Sequence, residues 1–206
     1  MILKMKMTFL KGVGKMNKRY FMVFLIFFVL LVSSESFGSV NRFTGSSGVF
    51  YGNKTLDNKI FGPADSQMEF GLHFEMGMSN WFVLPVVDMY IGRGTGSLGE
   101  INLESYTMEL DFGIQREWPL SENLALVTGV GMSTMTGELQ TYSPEYDCEV
   151  DSGPGHWYKI GLHLFLLNGV GELGLDWMQS NATITLFDQE TNAGGSHILF
   201  LLGFHW

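Results

Sequence analysis

The sequence predicts an all-β fold, an eight-stranded antiparallel up-and-down β-barrel that crosses a membrane. Three observations carry this prediction. The chain ends on residues 196–206, where Ile198, Phe200, Leu202, Phe204 and Trp206 fall on every second position. A period of two puts these side chains on one wholly apolar face of a strand, with His197, Gly203 and His205 on the other. After Val32 no apolar stretch approaches the roughly 20 residues of a membrane helix. A chain that enters hydrocarbon without such helices has to close a barrel, because each unpaired backbone group there costs several kcal/mol. Segments of alternating polarity, separated by turn signals, recur along the rest of the chain.

The front of the chain reads as an export signal. Lys18 and Arg19 precede an unbroken apolar run, 20–32, and a small-residue exit at 33–39. The run is too short to cross a bilayer as a helix. Cleavage is expected after Gly38, so 1–38 is the signal region and 39–206 the barrel. Residues 1–15 precede a better start at Met16 and read as a start-site extension. Beyond residue 38 the chain keeps six basic residues against twenty acidic ones, a formal charge of −14. Nucleic acid is excluded as a partner, since phosphate binding needs a basic footprint. Cys148 is the only cysteine, so no intramolecular disulfide forms, and it is too far from the apolar run to carry a lipid.

The strands follow in order. Segment 48–56 is a weak first strand, with Val49, Phe50 and Tyr51, and 57–66 is a polar loop. Segment 67–77 sets Phe70, Leu72, Phe74 and Met76 against Glu69, Gly71, His73 and Glu75, and a tight turn at 78–80 follows. Segment 81–92 has Trp81, Val83, Val87, Met89 and Ile91 on one face and Asp88 on the other. A Gly-rich loop covers 93–100. Segment 101–118 sets Tyr106, Met108, Leu110, Phe112 and Ile114 against Thr107, Glu109, Asp111, Gly113 and Gln115. After a turn at 119–123, segment 124–139 is richer in small residues, with Gly129, Gly131 and Ser133 on its polar face. The longest loop is 140–155. Segment 156–167 sets Tyr158, Ile160, Leu162, Leu164 and Leu166 against Lys159, Gly161 and His163. Asn168-Gly169 is a two-residue hairpin signal. Segment 171–187 sets Leu173, Leu175 and Trp177 against Gly174 and Asp176, and its weaker alternation past Gln179 predicts a bulge or a solvated protrusion. A last loop, 188–195, leads to the closing strand.

Connections at 78–80, 119–123 and 168–169 are short and those between them long, the pattern of short periplasmic turns and longer extracellular loops. Trp81, Trp118 and Trp206 fall beside the periplasmic rim and Tyr90, Tyr106, Trp157 and Tyr158 near the outer one, as two interfacial aromatic belts. Pro85 removes a ladder hydrogen bond, so a bulge or a rim position is expected there. Phe82, Leu84 and Val86 fall on the inward face and make part of the lumen apolar. The alternative is a soluble ligand-holding barrel with its apolar face enclosed, which would leave Glu69, His73, Glu75, Glu109 and Asp111 on the outside.

The expected interior is a polar network of Glu69, His73, Glu75, Asp88, Glu109, Asp111, Lys159, His163 and Asp176, with Glu172 and His197. Eight strands leave a lumen that side chains nearly fill. The network is either a plug of paired charges that holds the barrel together or a path that attracts cations or protons. No catalytic residue, metal site or cofactor is expected. Ser196 and His197 are adjacent and so point to opposite faces, and Ser152, Asp151 and His156 form only a loose set. Loop acids Glu138, Glu145, Asp147, Glu149 and Asp151 could join a cation layer through oxygen ligands, though without a calcium-loop spacing.

The ending Gly203-Phe204-His205-Trp206, with Leu56-Asp57 at the first loop, resembles the small eight-stranded outer-membrane β-barrel superfamily of the OmpA/OmpX/OmpW type, over the whole of 39–206. The resemblance implies location in the bacterial outer membrane. It implies contact with lipid and lipopolysaccharide, and recognition of Gly203, Phe204 and Trp206 by the barrel-assembly machinery. It implies a structural or passive small-solute permeation role for a monomer. A lipid-modifying enzyme or a ligand- or cation-binding surface barrel is the alternative that the superfamily allows.

Overall fold

A computed structural model describes residues 43–56, 58–78, 81–141, 148–167 and 169–206. The signal region and its cleavage point, and most of the acidic third loop (142–147), lie outside these residues. The strands are β1 (Phe43–Thr55), β2 (Ser66–Met78), β3 (Leu84–Leu98), β4 (Ile101–Ser121), β5 (Leu124–Thr141), β6 (Glu149–Leu166), β7 (Gly171–Leu186), β8 (Gln189–Asn192) and β9 (Gly195–His205). A short helix α1 (Asn58–Phe61) and a 3-10 turn (Gly62–Ala64) lie between β1 and β2.

All pairings are antiparallel. β1 to β7 pair in chain order, β7 pairs with β9, and β9 returns to β1. The ring therefore has eight strands and no free edge. β8 stands outside the ring. Among the described residues it pairs only with Thr183–Leu186 of β7, beyond the point where β9 takes over. Between them the chain breaks register at Ala193-Gly194. There the Asn192 carboxamide oxygen accepts from the N–H of Ala182 (2.8 Å) and of Gly194 (2.9 Å), replacing ladder bonds. Gly45 and Trp206 exchange backbone hydrogen bonds and define the terminal rim; the opposite end is the distal rim.

The apolar rows point outward. Phe200 and Phe204 are 58% and 62% exposed, whereas Glu69, Asp111 and His163 are at most 1% exposed. An apolar outside and a charged inside is the arrangement of a barrel solvated by lipid, and the enclosed-cavity alternative is overturned.

Several boundaries differ from expectation. β1 starts at Phe43, five residues early, and β3 starts at Leu84, so Trp81 and Phe82 lie before it. Phe82 is 71% exposed rather than inward, because it precedes the first paired residue and nothing imposes strand parity on it. Its ring instead lies 3.3 Å from the Arg116 guanidinium at the rim. Val86 is buried inside as expected. Pro85 is the second residue of β3, at the terminal rim, where a missing donor costs least.

The loops at 93–100 and 140–155 are largely strand. β3 runs to Leu98 and β4 resumes at Ile101; β5 runs to Thr141 and β6 resumes at Glu149. Glycines at 94 and 96 read locally as loop, but they clear the inner face of β3 for another segment. A Cβ on Gly94 would sit 2.7 Å from the Ala64 carbonyl, and one on Gly96 2.2 Å from that of Pro63. The first loop therefore folds against β3. Leu56, Phe61 and Ala64 are buried, and Leu56 and Phe61 pack with Met135, Leu139, Ile184, Leu186 and Ala193 into an apolar cluster at the distal end. The stretch past Gln179 projects, as expected, but its inner face is dry: Ile184 and Leu186 belong to that cluster. Phe187 and Asp188, with φ of 52° and 59°, turn it tightly into β8.

Candidate functional site

The barrel interior is the site. Period two on every strand aims one residue in two at the axis, and pairing brings residues far apart in sequence to the same level. Near the distal end, the Lys54 ammonium donates to Glu109 Oε2 (2.9 Å). Ser180 Oγ lies 3.3 Å from the same oxygen and 2.8 Å from His197 Nε2. The other ring nitrogen of His197 meets Glu69 Oε2 at 2.7 Å. Beside this group, the Gln67 amide donates to Ser105 Oγ (3.0 Å) and the Thr107 hydroxyl donates to Gln67 Oε1 (2.6 Å).

At mid-barrel Asp88 is the hub. Its carboxylate meets His73 Nδ1 at 2.6 Å, Lys159 Nζ at 3.1 Å and the Tyr90 hydroxyl at 3.2 Å. His73 Nε2 continues to Ser46 Oγ at 3.1 Å. Toward the terminal rim His163 bridges Asp176 (Nε2 to Oδ1, 2.8 Å) and Glu172. The Gln115 amide donates to Glu75 Oε2 (2.9 Å).

The nine residues expected in the interior are all buried there, with Glu172 and His197. Asp111 sits beside Glu109 at the edge of the network. It pairs across strands with Asp88, and among the described residues no donor is aligned on either of its oxygens. Thr107 and Gln115 lie inside with the polar face on which the sequence set them, and the interior also holds Ser46, Lys54, Gln67 and Ser180, which sequence reasoning missed. Lys54 was hidden because outward Asn53 and Thr55 on β1 are polar, so no apolar row announces which side is in.

The charged groups do not fill the lumen alone. Phe50, Val86, Tyr90, Trp157, Met178, Leu199 and Leu201 form an apolar core inside the barrel. The Phe50 ring lies 5.4 Å from that of Tyr90 and 5.5 Å from that of His73. Tyr90 and Trp157 are thus corrected from belt to core. Each alternates with outward residues (Met89 and Ile91, Tyr158), so parity sends it inward. Trp157 lies against glycines of β4 and β5: a Cβ on Gly113, Gly129 or Gly131 would come within 2.5, 2.9 and 2.7 Å of it. The remaining belt residues stay at the surface, with Trp81, Trp118, Tyr158 and Trp206 exposed and Tyr106 half-buried against Arg93.

Two depressions of about 400 Å³ mark the ends of the wall. One lies by Thr95, Gly96, Asn102 and Glu104, the other by Glu117, Glu122, Asn123, Phe165, Gly169 and His205 at the terminal mouth. Neither is lined by a mid-barrel residue. Ser180, His197 and Glu69 have the connectivity of an acyl-transfer triad, yet each is at most 1% exposed and Ser180 also abuts Glu109. Ser196 faces outward to Trp177 Nε1 (3.0 Å). Asp151 and Ser152 are bonded to Thr185 and Thr136, and His156 lies near Asn181, so that loose set does not assemble.

A closed eight-stranded ring with an apolar outside and a packed polar inside defines a membrane-spanning β-barrel of the outer-membrane type. No protein-family model matches the sequence, and no curated protein matches it. Among solved structures the chain is similar to Neisserial surface protein A (8% identity, 81% of this chain and 99% of that one, TM-score 0.54). It is also similar to Ail, the attachment invasion locus protein of Yersinia pestis (13%, 81% and 100%, TM-score 0.51), and to the outer membrane protein OprG from Pseudomonas aeruginosa (14%, 80% and 95%, TM-score 0.51). At these identities the likeness is one of fold alone, that of a small outer-membrane β-barrel.

Proposed function

We propose that this protein is a sealed structural barrel of the outer membrane, a monomer that fixes a rigid surface in lipid and neither passes solute nor catalyses. Its terminal rim faces the periplasm and its distal rim the exterior. The observation that carries the reading is the filled middle of the lumen. Phe50, Tyr90 and Trp157 pack inside the lumen, and His73 and Lys159 are each tied to Asp88 beside them. The apolar cluster built on Phe61 closes the distal end above. The triad-like set of Ser180, His197 and Glu69 is at most 1% exposed, too little for an ester to reach it.

Lipid and lipopolysaccharide are the partners that the outward rows fit, and the closing strand is what the assembly machinery would receive. Ail has been solved with the heparin analogue sucrose octasulfate. A comparable polyanion site is disfavoured here, because two of the six basic residues beyond position 38, Lys54 and Lys159, are buried. The test is conductance in planar bilayers, with refolded protein checked by its heat-dependent gel shift. The expected record is flat, and a serine-reactive phosphonate leaves the protein unlabelled. Stepwise conductance, or labelling that Ser180→Ala abolishes, overturns the reading.

A further inference from the structure

Three buried polar atoms converge at the terminal mouth with no hydrogen-bond partner among the described residues: His205 Nε2, Glu117 Oε1 and Glu172 Oε2. His205 Nε2 stands 3.1 Å from Glu172 Oε2 and 3.8 Å from Glu117 Oε1, without the alignment of a hydrogen bond. Glu75 adds a fourth group, and one ligand atom each from Glu75, Glu117 and His205 lie within 4.8 Å of one another. The four residues come from β2, β4, β7 and β9, so closure of the ring assembles them.

These groups are held in place. Glu172 is 1% exposed and its other oxygen is taken by His163. The N–H of His205 donates to the Val170 carbonyl (2.8 Å), and its ring stands edge-on to Phe165 at 4.9 Å. The depression lined by Glu117, Glu122, Asn123 and His205 gives the cluster a way to solvent.

Buried polar atoms left unpaired cost free energy that a ligand recovers. One imidazole nitrogen among carboxylate oxygens is the donor set of a borderline divalent ion, whereas calcium and magnesium select oxygen alone. Zinc bonds of 2.0–2.2 Å in a tetrahedron place neighbouring donors roughly 3.3 Å apart. The observed 3.1 and 3.8 Å bracket that spacing.

We propose that His205, Glu117 and Glu172, supported by Glu75, bind a zinc-type divalent cation at the terminal mouth of the barrel. β4 and β9 lie on opposite sides of the ring, so the ion would tie one wall to the other.

The test uses the whole barrel, refolded in detergent and stripped of metal, titrated with zinc chloride in a calorimeter and with Co²⁺ by visible absorption. One ion per barrel and a tetrahedral cobalt band are expected. His205→Ala and Glu117→Gln should each weaken binding at least about tenfold. His205 lies in the closing strand and its replacement could impair folding; Glu117→Gln, on β4, keeps the test open, with the gel shift as control. Absence of binding above a detergent blank overturns the proposal. So does unchanged affinity in folded Glu117→Gln, which would leave the cluster an ion pair of a charged histidine.

Discussion

Asp88 shows at the level of one side chain what keeps a charge inside this barrel. It has three donors, and the ammonium of Lys159 is the one that neutralises it from the opposite wall. Lys159→Met leaves a buried carboxylate short of its cation, a loss of about 3–5 kcal/mol. Urea titration of the detergent-refolded protein, followed by tryptophan fluorescence, should show it. The double variant Lys159→Met/Asp88→Leu should regain most of that stability, because the penalty lies in the orphaned partner; a double variant as unstable as the single one refutes this account. Residues such as Glu69, Glu109 and His163 were legible in the sequence because each alternates with an apolar neighbour that faces lipid. Lys54 and Ser180 were not, because at Asn53 and past Gln179 the outward row is itself polar. Which carboxylate meets which base depends on register between strands, and alternation within one strand carries no record of that.

Among the elements, the first loop and β3 depend on each other. Glycines at 94 and 96 leave the inner face of β3 bare, and the 3-10 turn lies against it. Gly96→Val should lift the first loop away while the ring stays closed. The expected result is trypsin cleavage after Lys59 in the variant and resistance in the native protein, at an unchanged heat-dependent gel shift. Equal resistance in both would show that the loop does not need the bare face. The same glycines explain why the loop at 93–100 was overestimated, as Gly153, Pro154 and Gly155 explain it for 140–155. Composition there signals a turn, whereas the ladder continues because a neighbouring strand supplies its partners. The strand count and the outward faces were readable, since both rest on the period of two that lipid enforces. The distal extensions were not, because beyond the lipid nothing demands an apolar row.

For the molecule as a whole, the middle of the lumen decides what passes. Trp157→Ala together with Tyr90→Ala removes two of the largest buried groups in the lumen and leaves the glycines beside Trp157 facing empty space. Small, cation-favouring conductance steps are expected in planar bilayers, given seven interior carboxyls against two lysines and three histidines. A flat record from the folded double variant would mean that the charged network blocks the path unaided.

β4 is 21 residues long, while about 9–11 suffice to span the hydrocarbon. Tyr106 marks the outer interface, so the surplus on that side is residues 101–105, which at about 3.4 Å each and tilted about 45° make a stalk about 12 Å tall. Because that stalk is hydrogen-bonded sheet, a foreign peptide spliced in at the Gly99-Glu100 tip would be displayed on a stiff mast, at fixed height and heading, where antibodies approach a cell.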